Sequence, residues 1–361
     1  MKPSTDLIRQ LPDLDTLFER LEEDPARLVT RAFPAEDERP VRALAGPAAR
    51  SFAVELPGME ETLVAERRHL VQAGTRAIGK IRKDGADADL DPEEAVGLEA
   101  IVLIEGRPAI LVQDGRFFPP PVKWQILEQM RAPIEQNCRS VGRIEVQGHP
   151  SYDWIGTGFL VGKDVIMTNR HVAREFCRMG ARRRWGFEPG IQARIDYVEE
   201  FGALDSAEFA IKKVIGIHEL FDLALLQVER KSTQGMPAPE PLSISTRPPS
   251  NREAHGVYTV GYPAWDGRRN DPEIMRKIFS NIFDVKRLQP GEVTQLLDTD
   301  CLFIHDCSTL GGNSGSCVID LETNQVLGLH FGGRYLQGNH AVALWQLTDD
   351  PLLKKGKVNF V

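Results

Sequence analysis

Residues 306–318 read Asp-Cys-Ser-Thr-Leu-Gly-Gly-Asn-Ser-Gly-Ser-Cys-Val, and apolar runs flank them, Cys301-Leu302-Phe303-Ile304 before and Cys317-Val318-Ile319 after. Two buried strands joined through so many small residues require a tight loop. Glycines at 311, 312 and 315 open backbone conformations closed to other residues, so successive N–H groups can turn toward a single point. Such a loop holds one hydroxyl clear of the backbone and offers donors to a developing negative charge. Ser314 is therefore the candidate nucleophile, and the N–H groups of Gly312 and Ser314 are the candidate oxyanion hole. A plain Gly/Ser hairpin turn is the alternative, because short motifs of this kind also arise by chance.

A serine hydroxyl attacks at neutral pH only when a base takes its proton, and that base needs an acid to fix its tautomer. Gly156-Thr157-Gly158-Phe159-Leu160-Val161-Gly162, followed by Val165-Ile166-Met167-Thr168-Asn169-Arg170-His171-Val172, reads as a β-hairpin whose second strand ends in His171. An imidazole at a strand end suits a general base. Phe221-Asp222-Leu223-Ala224-Leu225-Leu226 places one carboxylate at the mouth of an apolar strand, where burial without a partner costs several kcal/mol. An imidazole N–H supplies that partner.

These four blocks, in this order, resemble the trypsin-like (chymotrypsin-fold) serine peptidases, nearest to the bacterial branch that includes the glutamyl endopeptidases. The resemblance covers about Cys138 to Leu347. It implies a mainly β fold of two antiparallel six-stranded β-barrels and a Ser-His-Asp triad acting through an acyl-enzyme. His171 would take the Ser314 proton while Asp222 orients the imidazole. Family members that cut after basic residues resemble one another in carrying an Asp six residues before the nucleophile; this chain has Ser308 there. Thr309, His330 and Gly332 instead match the glutamyl endopeptidases, in which a Thr and a His bind the substrate carboxylate, so cleavage after Glu or Asp is expected. Asn313 stands where trypsin-like zymogens place an Asp for a newly freed amino terminus, so that ion pair is not available.

The rest of the chain sets the context. Residues 1–123 are expected to form a small α+β regulatory or docking domain, taking an upstream activator or partner. Leucines at helical spacing before residue 31, a helix from Met59 to Lys83, a helix start at Pro92 and a hairpin of Ala100–Ile104 with Ala109–Val112 support that reading. Ser51–Leu56 reads as a short strand and 34–47 as a linker. Residues 124–137 form a bridging helix or linker, 138–250 barrel one with His171 and Asp222, and 251–361 barrel two with Ser314 and the specificity pocket.

With 361 residues, 42% of them hydrophobic, the chain can bury a substantial core, and a net charge of −8 gives no field that would draw it to nucleic acid or an anionic membrane. Arg182-Arg183-Arg184 reads as a solvated loop. No signal-like or membrane-spanning apolar run appears, so a cytoplasmic location is expected. Five cysteines without a C-x-x-C pair are expected as reduced thiols, and the remaining histidines lack ligand spacing, so neither a cofactor nor a metal is expected. The rival to an active endopeptidase is a latent or non-catalytic peptide-binding protein on the same scaffold.

Overall fold

A computed structural model describes residues 14–23, 59–101, 106–180, 184–265, 279, 281–334 and 338–361. The chain divides into two compact units. The first is Met1–Ile110 with Pro119–Gln125 and Gly267–Ile282, and the second is Leu111–Phe118 with Ile126–Asp266 and Phe283–Val361.

The first unit is built on three helices, α1 (Leu14–Glu23), α2 (Met59–Asp84) and α3 (Pro92–Ile101). Leu17 and Leu21 lie one turn apart on α1 and bury against Val71, Ile78 and Ile81 of α2 and Leu98 and Ile101 of α3. Helices α2 and α3 approach backbone to backbone: a Cβ on Gly74 would strike the Gly97 carbonyl, and one on Gly97 would strike the Gly74 nitrogen. A reciprocal cap starts α3, with the Glu94 N–H donating to Asp91 Oδ1 at 2.8 Å and the Asp91 N–H to Glu94 Oε2 at 3.0 Å. The strand expected over Ala100–Ile104 is instead helical through Ile101, and 102–105 lie outside the described residues. A short apolar run satisfies either period, and here Ala100 and Ile101 continue a well-capped helix. The strand expected at Ser51–Leu56 and the linker at 34–47 also fall outside them.

In the second unit β1 (Ile110–Gln113) turns back into β2 (Arg116–Phe117), whereas Ala100 and Ile101 of the expected hairpin are helical. Asp114 and Gly115 form the two-residue turn with φ of 49° and 71°, the Asp-Gly geometry that hairpins favour. Helices α4 (Ile126–Gln129) and α5 (Arg131–Cys138) lead into the first barrel. Its strands are β3 (Val141–Gln147), β4 (Trp154–Gly162) and β5 (Val165–Thr168). Helix α6 (Arg170–Arg174) and a small hairpin of β6 (Cys177–Met179) with β7 (Trp185–Phe187) follow, then β8 (Gln192–Asp196), β9 (Glu208–Ile217) and β10 (Ala224–Val228). The barrel closes in the order β10-β5-β4-β3-β8-β9. Ile144, Leu160, Ile166, Ile195, Phe209 and Leu226 fill it.

The second barrel comprises β11 (His255–Gly261), β12 (Arg287–Leu297), β13 (Leu302–His305), β14 (Cys317–Asp320), β15 (Val326–Arg334) and β16 (Gly338–Ala343). Its order is β11-β14-β15-β16-β13-β12, and pairing of β12 with β11 closes it; β1 and β2 extend the sheet beyond β12. The fully buried Lys286 donates to the Tyr197 carbonyl at 2.7 Å and to Glu200 Oε1 at 3.0 Å, while Glu200 Oε2 accepts the Gly115 N–H at 2.6 Å. The chain finishes on α7 (Pro351–Gly356), whose N-cap Asp350 accepts from the Leu352 and Leu353 N–H groups. Two six-stranded antiparallel barrels are thus both present, with helices ahead of them. Among the described residues, no helix is long and apolar enough to cross a membrane.

Candidate active site

The strand expected to end in His171 stops at Thr168, and His171 lies in the first turn of α6. Asn169, extended at φ −75° and ψ 153°, makes the switch from strand to helix. Its Nδ2 donates to the Asp222 carbonyl at 2.9 Å, tying the acid's backbone to the base's element. Asp222 sits just before β10, and Ala224 of that strand pairs with Thr168 of β5. Adjacent strands therefore deliver acid and base to the same end of barrel one.

His171 Nδ1 lies 2.6 Å from Asp222 Oδ2, and the His171 N–H donates to Asp222 Oδ1 at 2.9 Å. An ionised carboxylate only accepts, so the proton of this bond is on Nδ1 and Nε2 is left to receive one. Burial of Asp222 alone would raise its pKa, but the His171 hydrogen bonds and charge outweigh it, and the carboxyl is held below the ordinary value. The pair is half open, with the His171 side chain 50% exposed and that of Asp222 19%.

Barrel one also holds the Ser314 loop. The Ser314 carbonyl accepts the Thr157 N–H at 2.9 Å, and Thr157 Oγ1 donates to the Gly312 carbonyl at 2.8 Å. A Cβ placed on Gly156 would meet Val172 Cγ2 at 2.9 Å and the Ser314 carbonyl at 3.0 Å, so the residue after the candidate base and the backbone of the candidate nucleophile converge on one point. Gly312 and Gly315 have φ of 84° and 91°. Within the loop the Asn313 N–H donates to the Leu310 carbonyl, the Gly315 N–H to His330 and the Ser316 N–H to Asn313. Those of Gly312 and Ser314, the expected oxyanion donors, donate to no group among the described residues. Backbone amides left without an acceptor among the described residues, in a loop turned through positive φ at Gly312 and Gly315, suit an incoming oxyanion.

Of the expected pocket residues, His330 is brought against the loop, since its N–H donates to the Ser316 carbonyl at 2.9 Å and its carbonyl accepts from Gly315 at 3.0 Å. Burial pushes its imidazole down to about 3, and the charges of His171 and His340 push the same way. His330 is thus neutral, with Nδ1 3.2 Å from Nε2 of the equally buried His305. Thr309 Oγ1 donates to Asn339 Oδ1 at 2.7 Å, and Asn339 Nδ2 donates to the Cys307 carbonyl at 2.7 Å. At Gly332 a Cβ would meet nothing within 4 Å, so space lies open beside it. Asn339 went unnoticed in the sequence, because its partners lie on a segment some thirty residues away. Both amide atoms of the buried Asn313 lack a hydrogen-bond partner among the described residues.

Residues 156–329 match the trypsin-like peptidase domain family. A probable serine protease of Lysobacter enzymogenes is 29% identical over 297 residues, 73% of this chain and 77% of that protein. A glutamyl endopeptidase of Staphylococcus epidermidis is 27% identical over 181 residues, 49% of this chain and 54% of its own length. Among solved structures, a protease from M. tuberculosis in its active form is 18% identical, covering 63% of this chain and 85% of that one with a TM-score of 0.41. Residues 156–329 of this chain thus form a trypsin-like peptidase domain, and the curated relatives it matches in sequence carry protease names.

Proposed function

We propose that Ser314, His171 and Asp222 form the triad of this serine endopeptidase. His171 Nε2 takes the Ser314 Oγ proton as that oxygen attacks a peptide carbonyl, the N–H groups of Gly312 and Ser314 receive the oxyanion, and His171 returns the proton to the leaving amine. Water then hydrolyses the acyl-enzyme by the same steps. The His171–Asp222 bond at 2.6 Å carries this reading, because it sets the tautomer that a base needs. Labelling the full chain with a fluorophosphonate tests it. Uptake by the wild type and none by a folded Ser314→Ala variant is expected, whereas equal labelling of the two overturns the assignment.

The same site suits an acidic side chain before the scissile bond. His330 Nδ1 and His305 Nε2 share one proton; with His305 as its donor, the neutral His330 has its own proton on Nε2, ready to donate to a carboxylate, and rotation of the Thr309 hydroxyl away from Asn339 adds a second donor. The relative from S. epidermidis bears the name glutamyl endopeptidase. A digest of a peptide library is expected to show cuts after Glu and Asp; cuts confined to basic or large apolar residues discard this preference. The region 1–123 acts as a regulatory or docking part for an activating partner, a reading that rests on a helical core of its own. Unaltered activity, substrate range and partner binding after removal of residues 1–109, which leaves the β1–β2 hairpin on its sheet, would remove it.

A further inference from the structure

The loop that delivers Asp222 is held by a second imidazole and a second carboxylate. His218 Nδ1 accepts two backbone N–H groups, from Leu220 at 3.1 Å and from Phe221 at 2.9 Å. A nitrogen that accepts carries no proton, so the His218 proton is on Nε2, which donates to Asp350 Oδ2 at 3.0 Å. Asp350 is itself fixed, since its Oδ1 accepts the Leu352 and Leu353 N–H groups at 2.8 and 3.1 Å as the N-cap of α7. The side chains of His218 and Asp350 are only 11% and 13% exposed.

The carbonyls of the same loop are taken from the other side. Arg170 Nη1 donates to those of Glu219 at 2.8 Å and His218 at 3.3 Å, and Arg170 directly precedes the candidate base. Helix α7 is seated on the strand that enters the loop: Lys355 Nζ donates to the Ile215 carbonyl at 2.7 Å, and the Leu352 side chain fills the space above Gly216. The loop is thus clamped between the α6 side and the carboxyl-terminal helix, and nothing in the hydrolytic chemistry uses His218 or Asp350.

We propose that His218 and Asp350 are positioning residues for the reaction: Asp350 fixes the His218 tautomer, and His218, through the Leu220 and Phe221 amides, holds Asp222 where it can orient His171. This rests on the triad assigned above. A shift of about 1 Å in an orienting group costs on the order of a hundredfold in rate without touching substrate binding.

Two substitutions isolate the effect. Asp350→Asn keeps an oxygen for the α7 cap but presents an NH2 to His218 Nε2, which then becomes an acceptor; the proton moves to Nδ1 and both loop amides lose their partner. His218→Asn removes the ring but supplies a side-chain oxygen that can accept from the residues two and three ahead, as in an Asx turn. His218→Ala supplies nothing. The full chain is treated with a fluorophosphonate, and the maximal labelling rate and half-saturating concentration are measured across pH, alongside the downfield NMR resonance of the His171–Asp222 proton.

Asp350→Asn and His218→Ala are expected to label roughly tenfold to a hundredfold more slowly, with half-saturation unchanged within about twofold and the downfield resonance shifted or lost. His218→Asn should recover to within a few-fold of wild type. Wild-type rates and an unmoved resonance in Asp350→Asn overturn the inference, as does a His218→Asn variant that is folded and as slow as His218→Ala. Asp222→Asn separates the two levels. If it labels like wild type, the triad falls; if it is crippled while Asp350→Asn and His218→Ala are normal, only the role of His218 and Asp350 falls.

Discussion

The carbonyl of Ser314 accepts the N–H of Thr157 at 2.9 Å, so the loop of the proposed nucleophile is stitched to the strand that follows Trp154 and not only to its own barrel. The next residue closes the seam. Thr168 Oγ1 donates to the Thr157 carbonyl at 2.7 Å, and Gly315 passes over that bond. A Cβ there would run into the Thr157 carbonyl and come within 2.5 Å of Thr168 Oγ1.

Gly315→Ala is therefore expected to cost about 3 kcal/mol or more, from the collision and from a backbone φ of 91° that side chains avoid. A urea melt measures it. Loss of less than about 1 kcal/mol would mean that the loop relaxes freely away from β4 and β5.

Asp222→Asn keeps an oxygen for the His171 N–H but can offer an NH2 to Nδ1, which favours the wrong imidazole tautomer. The expected outcome is a fall of about ten-thousand-fold in maximal hydrolysis rate with the fold intact, the size of the effect when a triad acid is neutralised elsewhere. Circular dichroism and burst kinetics on an ester substrate check the two halves of that statement.

Stability should fall as pH rises through neutrality. Burial pushes the Glu199 carboxyl up to about 7, against the pull of Arg143 Nη2 3.0 Å away and with help from Glu145, Asp196 and Glu208. Its folded pKa lies above the unfolded value near 4.5, so the stability it contributes is whole below about 4.5 and is lost as pH climbs to about 7. Glu199→Gln mimics the protonated form: equal to wild type at pH 4 and more stable at pH 8 by up to about 3 kcal/mol. Asp196 and Asp284 are raised by burial in the same direction and remain, so some slope persists. Denaturant midpoints at the two pH values give the difference directly.

Lys286→Met leaves the Glu200 carboxylate buried with the Gly115 N–H as its partner. A cost of about 3–5 kcal/mol is expected, the usual penalty for stranding one half of a buried pair. Adding Glu200→Gln, which still accepts from Gly115 but carries no charge, should return much of it. Equal stability of the single and double variants would contradict this.

Gly332→Val tests the pocket. Nothing lies within 4 Å of the added Cβ, so the melting temperature should hold, while acylation by a peptide with Glu before the scissile bond should slow tenfold or more as the wall moves inward. An unchanged rate would place the substrate side chain elsewhere.

How much of this could be read beforehand depended on how local each signal was. The segments around His171, Asp222 and Ser314 announce themselves because apolar strands, glycines and one polar residue occur together within a few positions. The helix carrying His171 escaped notice because five residues show no period. Ala100 and Ile101 were misassigned because an apolar run fits strand or helix equally, while the Asp114-Gly115 turn that settles the pairing was passed over. Asn339 and the His218–Asp350 pair gave no signal, since their partners are brought together only by strand closure, across 132 residues in the latter case.

The hairpin of β1 and β2 bears on how this protease can be cut down to size. It belongs to the same compact unit as both barrels and hydrogen-bonds through the Val112 N–H to the Lys286 carbonyl. Arg131 stacks over its Phe117 ring at 3.9 Å. A fragment beginning after residue 123, the obvious place to trim by sequence, would bare that margin of the second barrel's sheet and orphan Glu200 from Gly115. Unsheathed strand margins recruit other chains. A shortened enzyme that keeps this sheet margin covered should start ahead of Ile110.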